Sequence, residues 1–306
     1  MEPKRILIFG RGQLGTFYRE HCEAQGLAVS APSGDIRDES FVSEAIRSFG
    51  PDLVINAAAK TNIDWCEQNR AETFAINVLG ADAIAKACVE AGKYLLHISS
   101  GCVQESLSAD QVRSEDDPPH PLCYYSWTKV WAENLLTERA ARGGLKTLIL
   151  RPRQLLSAMV SPRNALVKML TYTKFIDTAN SCTVVEDLME ATDALVRKEA
   201  VGVYNVVNPG VTSPYRIAEA LKAGIRPEMS FTRISKEELN AMTLAKRIDA
   251  VLSTAKLEKE GIRLRPIEER LLDIIGLLKK NLADASSAEA LKKTEEETKA
   301  KLALVK

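Results

Sequence analysis

Three side chains near the middle of the chain have the types and spacing for acid–base work on a carbonyl. Tyr125 and Lys129, in Tyr125-Ser126-Trp127-Thr128-Lys129, stand four residues apart, which on a helix puts both on one face. Of the seven tyrosines only Tyr125 has a lysine four residues on. Ser100 closes the run His97-Ile98-Ser99-Ser100 ahead of that helix. Hydride transfer to a ketone makes an alkoxide that must be protonated. A phenol donates well but titrates near pH 10 when free, so it is hard to recharge. A neighbouring ammonium favours the phenolate, and lowering its pKa by about three units corresponds to roughly 4 kcal/mol. A serine hydroxyl would hold the carbonyl oxygen. Alone, the Tyr/Lys pair also fits a chance surface contact; its position after an apolar strand-like run raises it.

The second constellation is Gly10-Arg11-Gly12-Gln13-Leu14-Gly15. It lies between a first apolar run and a first helical pattern. Glycines there permit a tight turn and close backbone approach, and a helix N-terminus presents unpaired N–H groups to a pyrophosphate. A dinucleotide cofactor is therefore expected. No carboxylate stands at Ser30-Ala31-Pro32 to meet a ribose 2′-hydroxyl; Asp35 and Ile36 follow slightly later, and Arg11 could meet a 2′-phosphate. NADP(H) is favoured on this basis, with NAD(H) as the alternative.

These residues need elements to hold them. Short apolar runs at KRILIFG, GLAVSA, DLVINAAA, KYLLHISS and KTLILRP alternate with helical patterns at about 13–25, 39–49, 70–91 and 124–142. Strands alternating with longer helices predict βαβ units on a parallel sheet, with ligands at the carboxyl ends of the strands. The expected fold class is α/β, a Rossmann-type doubly wound parallel sheet with a smaller C-terminal substrate lobe. Residues 1–160 form the expected NAD(P)-binding domain. Residues 161–281 form the lobe with returning core segments: helices near 163–173, 184–198, 214–223 and 267–281, and a strand near 202–207. Residues 282–306, rich in Ala, Glu, Lys and Ser, read as a helical or frayed tail.

Composition excludes several classes. At 306 residues the chain can bury a large core, and Lys plus Arg equals Asp plus Glu at 41 each, so no net field favours nucleic acid or an anionic membrane. No apolar stretch is long enough to span a bilayer or serve as a signal peptide. Six scattered cysteines without a C-x-x-C pair and three dispersed histidines suggest free thiols in a reducing, cytoplasmic setting and no metal site.

The glycine loop, NAAAKTNIDWCE, FAINVLG, HISSGCV and YYSWTK, in this order, resemble the extended short-chain dehydrogenase/reductases. Within them the chain is similar to the dTDP-4-dehydrorhamnose reductase branch over roughly residues 5–275. The resemblance implies a nucleotide-sugar substrate and the roles of Ser100, Tyr125 and Lys129 given above. It implies that Ala57, Ala58, Ala59 and Asn77 line or brace the cofactor site, and that Thr61 approaches the sugar. It also implies a homodimer packed through the tyrosine-bearing helix, where Trp127, Val130, Trp131 and Leu135 would supply apolar surface, with Trp131 fitting the core equally well.

A narrower likeness joins SSGCV, SPRNALVKML and VYNVVNPGVTSPYRIAEAL to bifunctional 3,5-epimerase/4-reductases that make nucleotide-linked rhamnose. This implies that Cys102 and Lys168 move protons beside the ketone, with Arg163 and Asn164 binding substrate. A cation such as Lys168 near Cys102 would raise its thiolate fraction. Without the likeness, Cys102 reads as a small buried residue. Gly101-Cys102 stands where the simple reductases carry Asp-Tyr, which argues against a plain reductase. The glycine loop is one residue shorter than the usual pattern, and Arg153 and Gln154 after Pro152 match the family loosely. Two alternatives stay open: a plain 4-keto-sugar reductase, and a non-catalytic NADP-binding protein such as the regulatory subunits of methionine adenosyltransferase.

Overall fold

The computed structural model describes residues 1–284, together with Lys292 and Glu296. Six strands form one sheet: β1 (Arg5–Phe9), β2 (Ala28–Ser30), β3 (Leu53–Asn56), β4 (Tyr94–Ile98), β5 (Lys146–Arg151) and β6 (Gly202–Asn205). All pairings are parallel, and the order across the sheet is β6-β5-β4-β3-β1-β2. The winding reverses between β1 and β3, in register at Ile8↔Ile55. That reversal opens a crevice at the carboxyl ends, where Gly10 and Ala57 emerge side by side.

Every residue of β3 and β4 is buried, as expected of parallel strands covered on both faces. Alternation sends Ile6, Ile8, Ile55 and Leu96 to one face, against Tyr18 and the helix Val185–Arg197. Leu7, Phe9, Val54 and Leu95 face the other way, against Val42, Ile46, Ile84 and Leu136. A third core, including Leu166, Phe175, Ile217, Leu221, Leu271 and Leu278, belongs to the later part of the chain. Beyond residue 160, then, the chain returns β6 and one covering helix to the sheet and spends the rest on a smaller lobe. Its last described helix, Ile267–Leu282, closes that lobe; the tail expected from there on lies outside the described residues from 285, apart from Lys292 and Glu296.

The expected helix over 70–91 is interrupted. Arg70–Phe74 and Gly80–Ala91 are α-helical, and Ala75–Leu79 between them is a π segment. Such bulges re-aim a side chain, here Asn77. The helix expected over 163–173 covers only Ala165–Met169, since Asn164 caps it. Ile63–Gln68, Lys236–Ala241 and Ala255–Lys259 are helices too short to show a periodic pattern in the sequence.

Candidate active site

The glycine loop leaves β1 and enters the helix Gln13–Ala24, whose N-cap is Gly12. Gly10 has φ +105°, and a Cβ there would lie 2.5 Å from the Ala58 nitrogen. A Cβ on Gly15 would lie 1.9 Å from the Gly10 carbonyl oxygen. These two glycines are required by packing. Around Gly12 there is open space, and no acidic residue stands in the helix's first turn. The Gln13 Nε2 is buried without a partner. An open cradle at a positive helix end with an orphaned donor fits a pyrophosphate.

The other expected cofactor contacts divide. Ala57, Ala58 and Ala59 are half-buried beside the loop, and Arg11 is exposed at its tip. Asp35 is exposed and held by Arg37, whose guanidinium lowers its carboxyl below the usual range. The Ile36 side chain is buried in the core against Gly80, which leaves only its backbone to meet a cofactor. Asn77 takes the bracing role: its Oδ1 accepts from Lys60 N at 2.8 Å, while Nδ2 donates to Lys60 O at 3.0 Å and Thr128 Oγ1 at 3.0 Å. It ties the loop after β3 to the tyrosine helix, and that loop carries Thr61, which is exposed.

At the end of β4 the expected trio comes together. Lys129, on the helix Tyr124–Ala141, is buried and donates to the Ile98 carbonyl at 2.8 Å. The Tyr125 hydroxyl hydrogen-bonds the Ser100 side chain. Ser100 Oγ also accepts from Cys102 N at 3.1 Å, at the start of a single 3₁₀ turn, Gly101–Val103. One turn beyond Lys129, Glu133 accepts from the Ser99 hydroxyl and forms a buried ion pair with Arg151 at the end of β5. The tyrosine helix is thereby pinned to the ends of two strands.

The expected lowering of the tyrosine's pKa is not found. Burial raises Tyr125 above its ordinary value, and the nearby Cys102 raises it further, outweighing the Ser100 bond. Burial also pushes Lys129 down to about 8, against the opposing pull of Glu133. His97, buried beside it, is kept neutral by burial and then by Lys129. The hydroxyl is therefore a protonated donor, which suits an acid that quenches an alkoxide.

From Cys102, Cys123 and Ser126 a cavity of about 420 Å³ runs between sheet and lobe. Its wall carries Arg153, Arg163, Lys168, Lys174, Lys246 and Arg247 against one carboxylate, Asp249. Asp249 is already bound by Lys236 at 3.0 Å, and the buried Arg247 Nη1 has no partner. Such a wall suits a dianionic diphosphate. Asn164 is a correction here: its side chain caps the helix Ala165–Met169 and bonds Ser157 O and Met159 O at 2.8 and 2.6 Å. It is fully buried and is spent on the backbone.

Arg153, a loose family match in the sequence, carries no local signal of its role. Its Nη1 donates to Cys102 Sγ at 2.9 Å. Lys168, the cation expected beside Cys102, lines the same cavity. Among the described residues no cluster of three His, Cys, Asp or Glu could hold a metal, and no helix is long and apolar enough to cross a membrane.

The family model for the RmlD substrate binding domain matches residues 4–279. The chain belongs to this family. Among its RmlD-family relatives is the bifunctional dTDP-4-dehydrorhamnose 3,5-epimerase/dTDP-4-dehydrorhamnose reductase of Arabidopsis thaliana, 32% identical over 281 residues, 88% of this chain and 92% of the relative. The crystal structure of the UDP-rhamnose synthase from Acanthamoeba polyphaga mimivirus superimposes with TM-score 0.82 at 25% identity, covering 89% and 99% of the two chains. A dTDP-4-dehydrorhamnose reductase from Bacillus anthracis in complex with NADP shares the fold, with TM-score 0.78 at 24% identity over 88% and 97%.

Proposed function

We propose that this RmlD-family chain reduces a nucleotide-linked 4-keto-6-deoxyhexose, carried on UDP or dTDP, and epimerises it at C3 and C5, giving a rhamnose-type sugar nucleotide. The observation that carries the reading is the Ser100–Tyr125–Lys129 trio at the end of β4, next to a basic cavity that begins at Cys102. NADPH is the proposed cofactor, with NADH second; Gly10, Gly12, Gln13 and Gly15 would hold its pyrophosphate, and bound there it supplies hydride. Tyr125 gives its proton to the C4 oxygen. Ser100 accepts from the Cys102 amide, which leaves its own O–H to donate to that oxygen. Lys129, charged below about pH 8, stabilises the phenolate that remains. Arg163 and Arg247 face the diphosphate, and Lys168 faces the sugar. Cys102 favours the epimerase reading over a plain reductase, since it puts a proton-accepting sulfur on the cavity wall two residues from Ser100.

The finer reading of its partners is a homodimer packed through the tyrosine helix, where Trp127 and Leu135 stay exposed. Six free cysteines suit a reducing, cytoplasmic setting.

The test is incubation with UDP- or dTDP-4-keto-6-deoxyglucose and NADPH in D2O, with the product sugar read by NMR. Rhamnose carrying deuterium at C3 and C5 is expected, and Tyr125→Phe should slow reduction by about 10²–10⁴-fold. Reduced sugar without deuterium would leave a plain reductase. NADPH binding without turnover would leave a binding protein.

A further inference from the structure

We infer that Arg153 is the permanent cation of the epimerase half of the site, holding Cys102 as thiolate so that Lys168 is left to give its proton to the opposite face. The inference rests on the epimerase reading above. It starts from the 2.9 Å contact between Arg153 Nη1 and Cys102 Sγ. Arg153 is only 7% exposed. Its Nη2 donates to Asn180 Oδ1 at 2.8 Å and to the Ile248 carbonyl, and its backbone N donates to Thr183 Oγ1 at 2.9 Å. Its Nε is buried without a partner.

These partners are neutral. A buried guanidinium among neutral acceptors carries a desolvation penalty that an adjacent anion relieves. The carboxylate of Asp249 stands one step away, joined to Asn180 Nδ2 at 2.8 Å and neutralised by Lys236. Sγ is the ionisable group in direct contact. The approach is built into the chain: a Cβ on Gly101 would lie 3.2 Å from the Arg153 Cβ and 2.6 Å from Leu252 Cδ1. Gly101 also donates to the Pro152 carbonyl at 2.9 Å, tying the cysteine turn to the arginine segment.

Chemistry divides the two cations. A group that returns a proton loses its charge in doing so, and until recharged it could not stabilise the thiolate that must re-form for the second centre. Arginine stays protonated throughout. In the balanced step, the thiol first releases its proton to water. The thiolate then takes the proton from the carbon beside the ketone, becoming thiol and leaving an enolate. The Lys168 ammonium protonates that carbon from the other face and becomes an amine. Thiol and amine then re-equilibrate with solvent, which brings in deuterium from D2O. Other charges and titratable groups face Cys102: Tyr125, Lys129 and Cys123 from the tyrosine helix, and Lys168, Arg247 and Asp249 across the cavity. Arg153 faces them all with a direct hydrogen bond to the sulfur.

The test compares wild type, Arg153→Gln and Arg153→Lys. Cys102 alkylation by iodoacetamide at neutral pH, resolved by peptide mass spectrometry, should slow by about tenfold in Arg153→Gln, the effect of a one-unit change in thiolate equilibrium, with partial rescue in Arg153→Lys. Deuterium exchange into UDP-4-keto-6-deoxyglucose without NADPH should fall in parallel. Reduction of UDP-4-keto-rhamnose, which needs no epimerisation, should fall much less. Where Arg153→Gln does not fold, ultraviolet thiolate absorbance of wild type minus Cys102→Ser decides, and its absence at neutral pH overturns the inference. Wild-type exchange with unchanged alkylation and exchange in Arg153→Gln overturns the inference alone. No exchange by wild type overturns the epimerase reading and the inference with it.

Discussion

Lys129 is charged at neutral pH at a cost set by its burial. Its pKa falls from 10.5 to about 8 because its ammonium has left water for a site offering the Ile98 carbonyl and the field of Glu133. That shift corresponds to about 3 kcal/mol of destabilisation. Between pH 8 and 10.5 the unfolded chain keeps this proton and the folded chain does not, so stability rises with pH across that window and the penalty is fully present below it. Lys129→Met forfeits a hydrogen bond of about 1 kcal/mol. It should therefore melt a few degrees higher than wild type at pH 7, with the gain shrinking towards pH 10.5, while losing reductase activity; a lower melting temperature at pH 7 would contradict this. The wild-type kcat/KM for reduction should fall as pH rises through about 8. The Tyr125/Lys129 pair was legible because its two members are four residues apart on one helix. The direction of the tyrosine's pKa was not, because burial by Cys66, Cys123 and the surrounding loops is a property of the folded site.

At the scale of elements, the glycine loop separates packing from binding. Gly15→Ala would drive a methyl into the Gly10 carbonyl and should destabilise the protein by about 1–3 kcal/mol. Gly12 has φ −80° and open space, so Gly12→Val should leave the melting temperature of the free protein unchanged and weaken NADPH binding. Equal loss of stability in both variants, measured by thermal melting, would remove the distinction. Loop, strands and long helices could be read from the chain because their signals are local. Arg153 could not: its partners are Cys102, Asn180, Thr183 and Ile248, which converge only after the lobe has folded back. Asn164 carried a local signal of the opposite kind. Asparagine ahead of a short apolar helix is a favoured N-cap, and that is the role Asn164 takes.

At the scale of the whole molecule, the tyrosine helix leaves apolar side chains in solvent. Val130, expected on the surface, is buried, and Trp131 is half-buried, stacked on Trp127 at 5.8 Å and edge-on to Phe74. Trp127 and Leu135 remain outside. In the proposed homodimer they meet a second copy, so Trp127→Asp should convert dimer to monomer in sedimentation; a monomeric wild type would remove the proposal. The sheet has a consequence in time as well. β5 ends at Arg151, and the strand that covers its outer edge, β6, begins only at Gly202. At roughly 5–20 residues per second of synthesis, about fifty intervening residues leave the backbone groups of that edge unpaired for on the order of several seconds. During that interval the growing chain offers an open template for pairing with another copy of itself, and chaperone capture before residue 202 emerges would guard it best.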